Sequence, residues 1–244
     1  MFEPIIQGKS SDDVVNQIVK NIQNGTFQPG DALPTERRLA EMLGVSRPVV
    51  REGLKSLKLL GVVTTVHGGG NYVADHLDTC LIRPLSILFA LNNSNILQSQ
   101  QLRSALECQA ASLAAQNCTA LDAASLRLIL EQLHITSDEE ALNRLDRTLH
   151  LSIAKIAGNP LIYSVLSASA HLSDTIIKKI RTYIQAESDA LLDVDEQHRA
   201  IVEAIASHDA DGAEQAMCIH MASVEQYIRR LHLDSVPSEF DSGE

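Results

Sequence analysis

The chain has no tryptophan, and aromatic residues of all kinds reach only 3% of its 244 positions. A core without large rings has to be aliphatic. The Leu, Ile, Val and Ala that dominate the 45% hydrophobic content favour helices packed side by side. That same 45% excludes global disorder. Cysteine is scarce and scattered. Cys80, Cys108, Cys118 and Cys218 include no CxxC pair, so neither a zinc knuckle nor a disulfide framework is expected. All four read as small buried apolar residues in a reducing compartment. No stretch approaches the eighteen apolar residues of a membrane span. The start, "MFEPIIQGKSSDDVV", lacks the basic region and apolar run of a signal peptide. There is no fixed-period repeat and no low-complexity tract. A soluble, cytoplasmic protein without a membrane partner is expected, long enough for two ordinary domains.

What is present is uneven. The formal net charge is −11, yet residues 1–75 hold eight basic and eight acidic residues. Residues 76–244 hold the other 12 basic and 23 acidic ones. Within 35–58 the balance reverses, with six basic against three acidic residues. This asymmetry predicts two domains with different partners.

The front of the chain reads as short helices. "SSDDVVNQIVKNIQNGTFQPGD" opens on Ser and two aspartates, a capping signature, and Val14, Val15, Ile18, Val19 and Ile22 recur at helical spacing. In "LPTERRLAEML", Thr35 is the N-cap, Leu39, Ala40 and Leu43 face inward, and Gly44 stops the helix. In "VSRPVVREGLKSLKLLG", Ser46 caps, Pro48 suits the first turn, and Val50, Leu54, Leu57 and Leu60 face inward. Helix, tight turn and second helix make a helix-turn-helix. Arg47 and Arg51 lie four apart on the second helix and project from one face. "VVTTVHGGGNYVA" then supplies two β-type runs around three glycines, a hairpin wing with His67 at its tip. A helix N-terminus with guanidinium groups suits duplex DNA: it holds phosphates, and Arg can donate a bidentate pair to guanine. Solvation explains any one arginine, but poorly explains the ordered set.

Residues 25–73 resemble the GntR family of bacterial transcription regulators. The shared pattern is PG, LP-[ST]-ER-x-LA, GVSR-x-x-VRE and a Gly-rich wing, in that order. The resemblance implies that the Arg-bearing helix enters the major groove and the wing tip touches the minor groove. The DNA contacts it implies are Arg37, Ser46, Arg47, Arg51, His67 and Gly68, with Thr35 near a phosphate. Pro48 stands where relatives often carry Thr, and Arg38 occupies a variable position.

From residue 79 onward the pattern is helical throughout. Segments 96–117, 119–134, 137–158, 159–184, 194–209 and 210–232 each show apolar residues at three- and four-residue spacing. Ser137 with Glu140, and Asn159–Pro160, are N-terminal signals. An antiparallel bundle is expected. Asp146 and His150 lie one turn apart on one helix, while His198 and His220 fall on two others. One carboxylate and three imidazoles can close around a divalent ion, although Asp146 and His150 also fit an ordinary surface pair.

"QLRSALECQAASLAA", "LDRTLHLSIAKIAGNP" and "DEQHRAIVEAIASHDADGAEQAMCIHM" resemble the opening, middle and close of the FCD domain, the ligand-binding half of the FadR subfamily. That resemblance places the family's metal ligands on Asp146, His150, His198 and His220, and its effector-binding arginine on Arg103. Leu149 replaces the usual Phe. Zn²⁺ is the first expectation for an imidazole-rich site, with Ni²⁺ or Mn²⁺ as alternatives. The expected fold is mainly α: a winged helix-turn-helix over 1–75, an all-helical effector-binding and dimerisation bundle over 76–234, and a polar tail over 235–244. The expected function is a homodimeric repressor of a palindromic operator, controlled by a small carboxylate through a linker near 74–80 and having no catalytic residues. The rival is a metal-dependent hydrolase, for which Glu196 is the one candidate base.

Overall fold

Local capping chemistry sets the front of the fold. The computed structural model describes residues 10–66, 69–75, 80–92, 94–170 and 188–233. Helix α1, Ser11–Gln23, begins at a capping box in which Ser10 and Asp13 satisfy each other's backbone N–H. Helix α2, Glu36–Leu43, is capped by Thr35 Oγ1, which accepts the Arg38 N–H at 3.3 Å. Gly44, at φ 68°, ends it in a left-handed conformation that costs glycine little. Helix α3, Arg47–Leu59, follows with proline in its first turn. Strands β1, Val63–Val66, and β2, Gly70–Val73, pair antiparallel, and Ala32 bridges to Tyr72. The three helices close over Val14, Ile18, Leu39, Leu43, Val50, Leu54 and Leu57, with Val63 and Val73 sealing the strand side. Leu60 departs from expectation. Helix α3 stops at Leu59, and Leu60, its C-cap, lies past the last turn that the core covers and stands 45% exposed. Thr35→Ala removes a cap worth about 1 kcal/mol, and urea denaturation should show a loss of that size.

The chain divides into two compact units, Met1–Pro84 and Leu85–Glu244. Helix α4, Ile82–Leu91, spans the division in sequence. The second unit contains α5 (Ile96–Asn117), α6 (Ala120–Ile135) and α7 (Glu139–Ile156), then helical residues 160–170 (α8), α9 (Ser188–Ala206) and α10 (Ala210–Arg230). Helix α5 lies between two cores because its packing residues are small. Ala111, Ala114 and Ala115 enter the main core with Leu126, Leu149, Ile153, Ile201, Ile205, Met217 and Met221. Ala110 instead meets Ala154, Ala157 and Leu166. Alanine at these positions lets neighbouring helices approach at interior packing density.

Two further expectations need correction. Helix α7 is capped by Asp138, whose carboxylate accepts the Ala141 N–H at 2.7 Å, and not by Ser137. Both residues can cap, and the helix begins one position later than the sequence signal suggested. The four cysteines are not all unpaired either. Cys108 on α5 and Cys218 on α10 form a disulfide, because the two helices bring their Cα atoms within 5.4 Å. Cys80 and Cys118 remain thiols. Residues 171–184 of the expected 159–184 helix, linker residues 76–79 and the 235–244 tail lie outside the described residues. Among those described, no helix is long and apolar enough to cross a membrane.

Candidate metal centre and nucleic-acid interface

At the start of α3 the backbone N–H groups carry the positive end of the helix dipole. Ser46, Arg47 and Arg51 are all exposed there, as are Thr35 and Arg37 around α2. Ser46 occupies the N-cap position, but its hydroxyl makes no cap hydrogen bond. Thr35 differs, since its hydroxyl already serves α2. Among the described residues Arg47 has no ion-pair partner, whereas Arg51 donates from Nε and Nη2 to Glu36 at 3.2 and 3.0 Å. The hydrogen bond to Glu36, and then its charge, raise the Arg51 pKa. The pair is exposed and solvent-screened, so a phosphate can compete with Glu36 for the guanidinium. Arg37 sits 4.0 Å from Glu41, a loose contact of an exposed side chain. His67 and Gly68, the expected wing-tip contacts, lie outside the described residues.

Inside the second unit, α7 turns one stripe inward: Leu142, Asp146, Leu149, His150 and Ile153 are buried together. Leu149, in place of an aromatic ring, is fully enclosed. Helix α9 buries His198, and α10 buries His220. The three imidazoles meet. A ligand-type nitrogen from each of His150, His198 and His220 lies within 4.8 Å of the others, an arrangement that can hold a metal ion. Asp146 stands at the edge of this group, its Oδ1 3.5 Å from His198 Nε2.

Two residues with no assigned role in the sequence reading fix the ring orientations. Glu107 of α5 is buried, and its Oε2 lies 2.8 Å from His150 Nδ1. A carboxylate only accepts, so Nδ1 carries a proton, and in the neutral ring Nε2 is then the lone-pair nitrogen. His150 Nε2 is itself buried without a hydrogen-bond partner among the described residues, the signature of a ligand atom. Gln197 does the same for His220. Ser223 spends its one hydroxyl proton on the Ile219 carbonyl at 3.1 Å, so it must accept from Gln197 Nε2 at 3.0 Å. The amide oxygen then faces His220 Nδ1 at 3.0 Å and receives its proton. Burial, followed by repulsion from His198 and His150, pushes the His220 pKa well below the ordinary histidine range. A neutral imidazole is the form that ligates. The residues present fit a divalent ion.

Arg103 is buried one turn before Glu107 and donates from Nε to Glu107 Oε1 at 2.9 Å. Its terminal nitrogens form no other hydrogen bond among the described residues. Burial alone pushes the Glu107 carboxyl up, but the charges and hydrogen bonds of His150 and Arg103 outweigh it and bring the carboxyl down to about 2. Glu107 is therefore an anion shared between a cation and an imidazole. Its spacing of four from Arg103 was visible in sequence, but such a pair is usually a surface feature. Gln197, beside His198, carried no signal of its own. The candidate base of the hydrolase rival does not join the site: Glu196 is exposed, while His198 is buried two residues on.

Comparison with known proteins follows the same division. The model of the bacterial regulatory proteins of the gntR family matches residues 10–73, and that of the FCD domain matches residues 98–223. LutR, an HTH-type transcriptional regulator of Bacillus subtilis (strain 168), is 30% identical over 209 residues, covering 85% of this chain and 95% of LutR. NanR of Enterobacter sp. (strain 638), named an HTH-type transcriptional repressor, is 33% identical over 226 residues, covering 91% and 86%. An Escherichia coli (strain K12) protein whose name ties it to regulation of an L-lactate dehydrogenase operon is 29% identical over 234 residues, covering 94% and 90%. A solved structure of Streptococcus agalactiae GntR shares the fold with a TM-score of 0.68 and 24% identity, covering 88% of this chain and 99% of that one. The relatives carry names of transcription regulators, not of enzymes. The chain belongs to the GntR family of bacterial regulatory proteins, with an FCD domain following its helix-turn-helix, and is a DNA-binding transcriptional regulator.

Proposed function

We propose that the chain is a homodimeric repressor that works in the cytoplasm and is controlled by a small organic acid bound at a divalent-metal site in its second unit. The observation that carries this reading is the convergence of three buried imidazoles, two of them held by Glu107 and Gln197 with Nδ1 protonated. His150, His198 and His220 would hold the ion, with Asp146 as the carboxylate beside them. Zn²⁺ is favoured over Mn²⁺ by the nitrogen ligands, and Ni²⁺ is an alternative. When bound, such an ion supplies positive charge and open positions to an anionic ligand. The terminal N–H groups of Arg103 would pair with the same carboxylate. Two copies of α3 would read half-sites of a palindrome about one helical turn apart. The acid can alter DNA affinity only by binding one arrangement of the dimer better than another.

A mobility-shift titration on upstream DNA, repeated with lactate, pyruvate, glycolate, sugar acids and dicarboxylates, tests this reading. One acid should release DNA, and chelation should abolish the release. Release undiminished by chelation would leave the ion a structural role only, and no retardation of any fragment at low salt would end the repressor reading. Arg47→Ala should cost roughly 1–3 kcal/mol of sequence-specific binding, measured as the gap between operator and random DNA. An equal loss on both DNAs would make Arg47 a phosphate contact instead.

A further inference from the structure

The disulfide lies where the candidate site is built. Cys108 directly follows Glu107, the carboxylate that holds His150 and Arg103. Cys218 precedes His220 by two residues on α10. The bond therefore ties the helix carrying Arg103 and Glu107 to the helix carrying His220. A second link between the same helices is weak by comparison: Gln100 Nε2 donates to the Met221 carbonyl at 3.3 Å. The two sulfurs differ in access. Cys108 is buried at 7% exposure, while Cys218 is exposed. Thiol exchange needs one sulfur within reach of an attacking thiolate, and Cys218 offers it. The other thiols are placed otherwise, Cys118 buried and Cys80 in the first unit.

We propose that Cys108 and Cys218 form a reversible redox pair, opened by low-molecular-weight thiols and closed by low-molecular-weight disulfides, that fastens α5 to α10 beside the histidine cluster. In opening, a thiolate bonds to Cys218 Sγ, the Cys108–Cys218 bond breaks, and Cys108 leaves as a thiolate that takes up a proton. A second thiol then attacks the mixed disulfide, releases Cys218 as a thiol and departs as the oxidised reagent. Two electrons and two protons enter the protein. Closure with a small disulfide is the reverse. In a reducing compartment disulfides are rare and, where they form, are usually transient and catalytic or redox-sensing, and this one lies beside the histidine cluster. With the bond closed, Glu107 and His220 are held at their present spacing. With it open, side-chain packing and the Gln100 bond still join the helices, but the covalent tie is gone. The consequence for metal affinity rests on the reading under Proposed function, but the redox chemistry does not.

The test uses the full-length chelated protein, equilibrated with mixtures of reduced and oxidised glutathione, quenched with acid, denatured and alkylated. All four cysteines should be alkylated at the reducing end and two at the oxidising end, the protected pair mapping to the Cys108 and Cys218 peptides. The bond closes a loop of 110 residues, so the oxidised form should melt on the order of 5–10 °C higher. Cys218→Ser, at an exposed position, should remove both the protection and the shift. Four alkylated cysteines under every mixture, protection of a different pair, or a bond that excess dithiothreitol cannot open in the native protein would overturn the redox pair. Zn²⁺ competition titration then reads the coupling: Cys218→Ser should bind several-fold more weakly than the oxidised chain. Equal binding would overturn the coupling, whereas no Zn²⁺ binding by either protein would overturn the metal reading and not the redox pair.

Discussion

Glu107→Ala is expected to cost about 3–5 kcal/mol of folding stability in chelated protein, because it leaves Arg103 and His150 buried without their shared anion. A contrast within the molecule decides whether burial is the cause. Arg127 and Glu203 form a bidentate pair with shorter hydrogen bonds, at 2.7 and 2.9 Å, against 2.8 and 2.9 Å around Glu107. By distance alone the Arg127 pair would matter as much. Both of its members are about half exposed, however, and water replaces either partner when the other is removed. The Arg103 and Glu107 side chains are 9% and 3% exposed, and no water waits to replace the anion. Denaturant titration of Glu107→Ala and Glu203→Ala should therefore give a large loss for the first and a much smaller one for the second. Glu107→Gln should fall between wild type and alanine, since an amide oxygen still accepts from His150 while the charge opposite Arg103 is gone. Equal losses for the buried and the exposed alanine variants would remove the buried-anion account.

The legible parts of the molecule were those set within a few residues. Ser10, Thr35 and Gly44 announce helix ends because capping is local chemistry. Asp146 and His150 could be placed together because one helical turn separates them. What the sequence hid depended on registration between distant segments. Nothing in the spacing of Cys108 and Cys218 shows that α5 and α10 meet at those two residues. Glu107 stands one turn from Arg103, a spacing common on solvated helix faces, and only packing against α7 makes it a buried anion. Grouping His198 and His220 with His150 was open to the sequence but took its weight from family resemblance, since three helices must be packed before the rings approach. The misplaced cap at Ser137 has a smaller cause: Asp138 is an equally good acceptor one position later.

His198→Ala should have the other large effect, on metal affinity and on the response to organic acid, with little effect on DNA binding. Loss of an outer carboxylate or amide that only orients a ligating histidine costs roughly 10–100-fold in metal affinity. Removing one of three converging imidazoles has to exceed that range. Gln197→Ala provides the calibration, because it removes no ring and takes away the acceptor on His220 Nδ1 together with the bond to Ser223. Competition titration with Zn²⁺ should thus rank wild type above Gln197→Ala, and Gln197→Ala above His198→Ala. DNA affinity without effector should stay within about threefold in both variants, since α1 to α3 and the wing close their own core in a separate compact unit. An inverted ranking, or Zn²⁺ retained at full stoichiometry by His198→Ala, would remove His198 from the site. DNA binding lost in parallel with the metal would mean that the reading head depends on the sensing unit for its fold, which its buried Val14, Ile18, Leu39, Leu43 and Leu57 argue against.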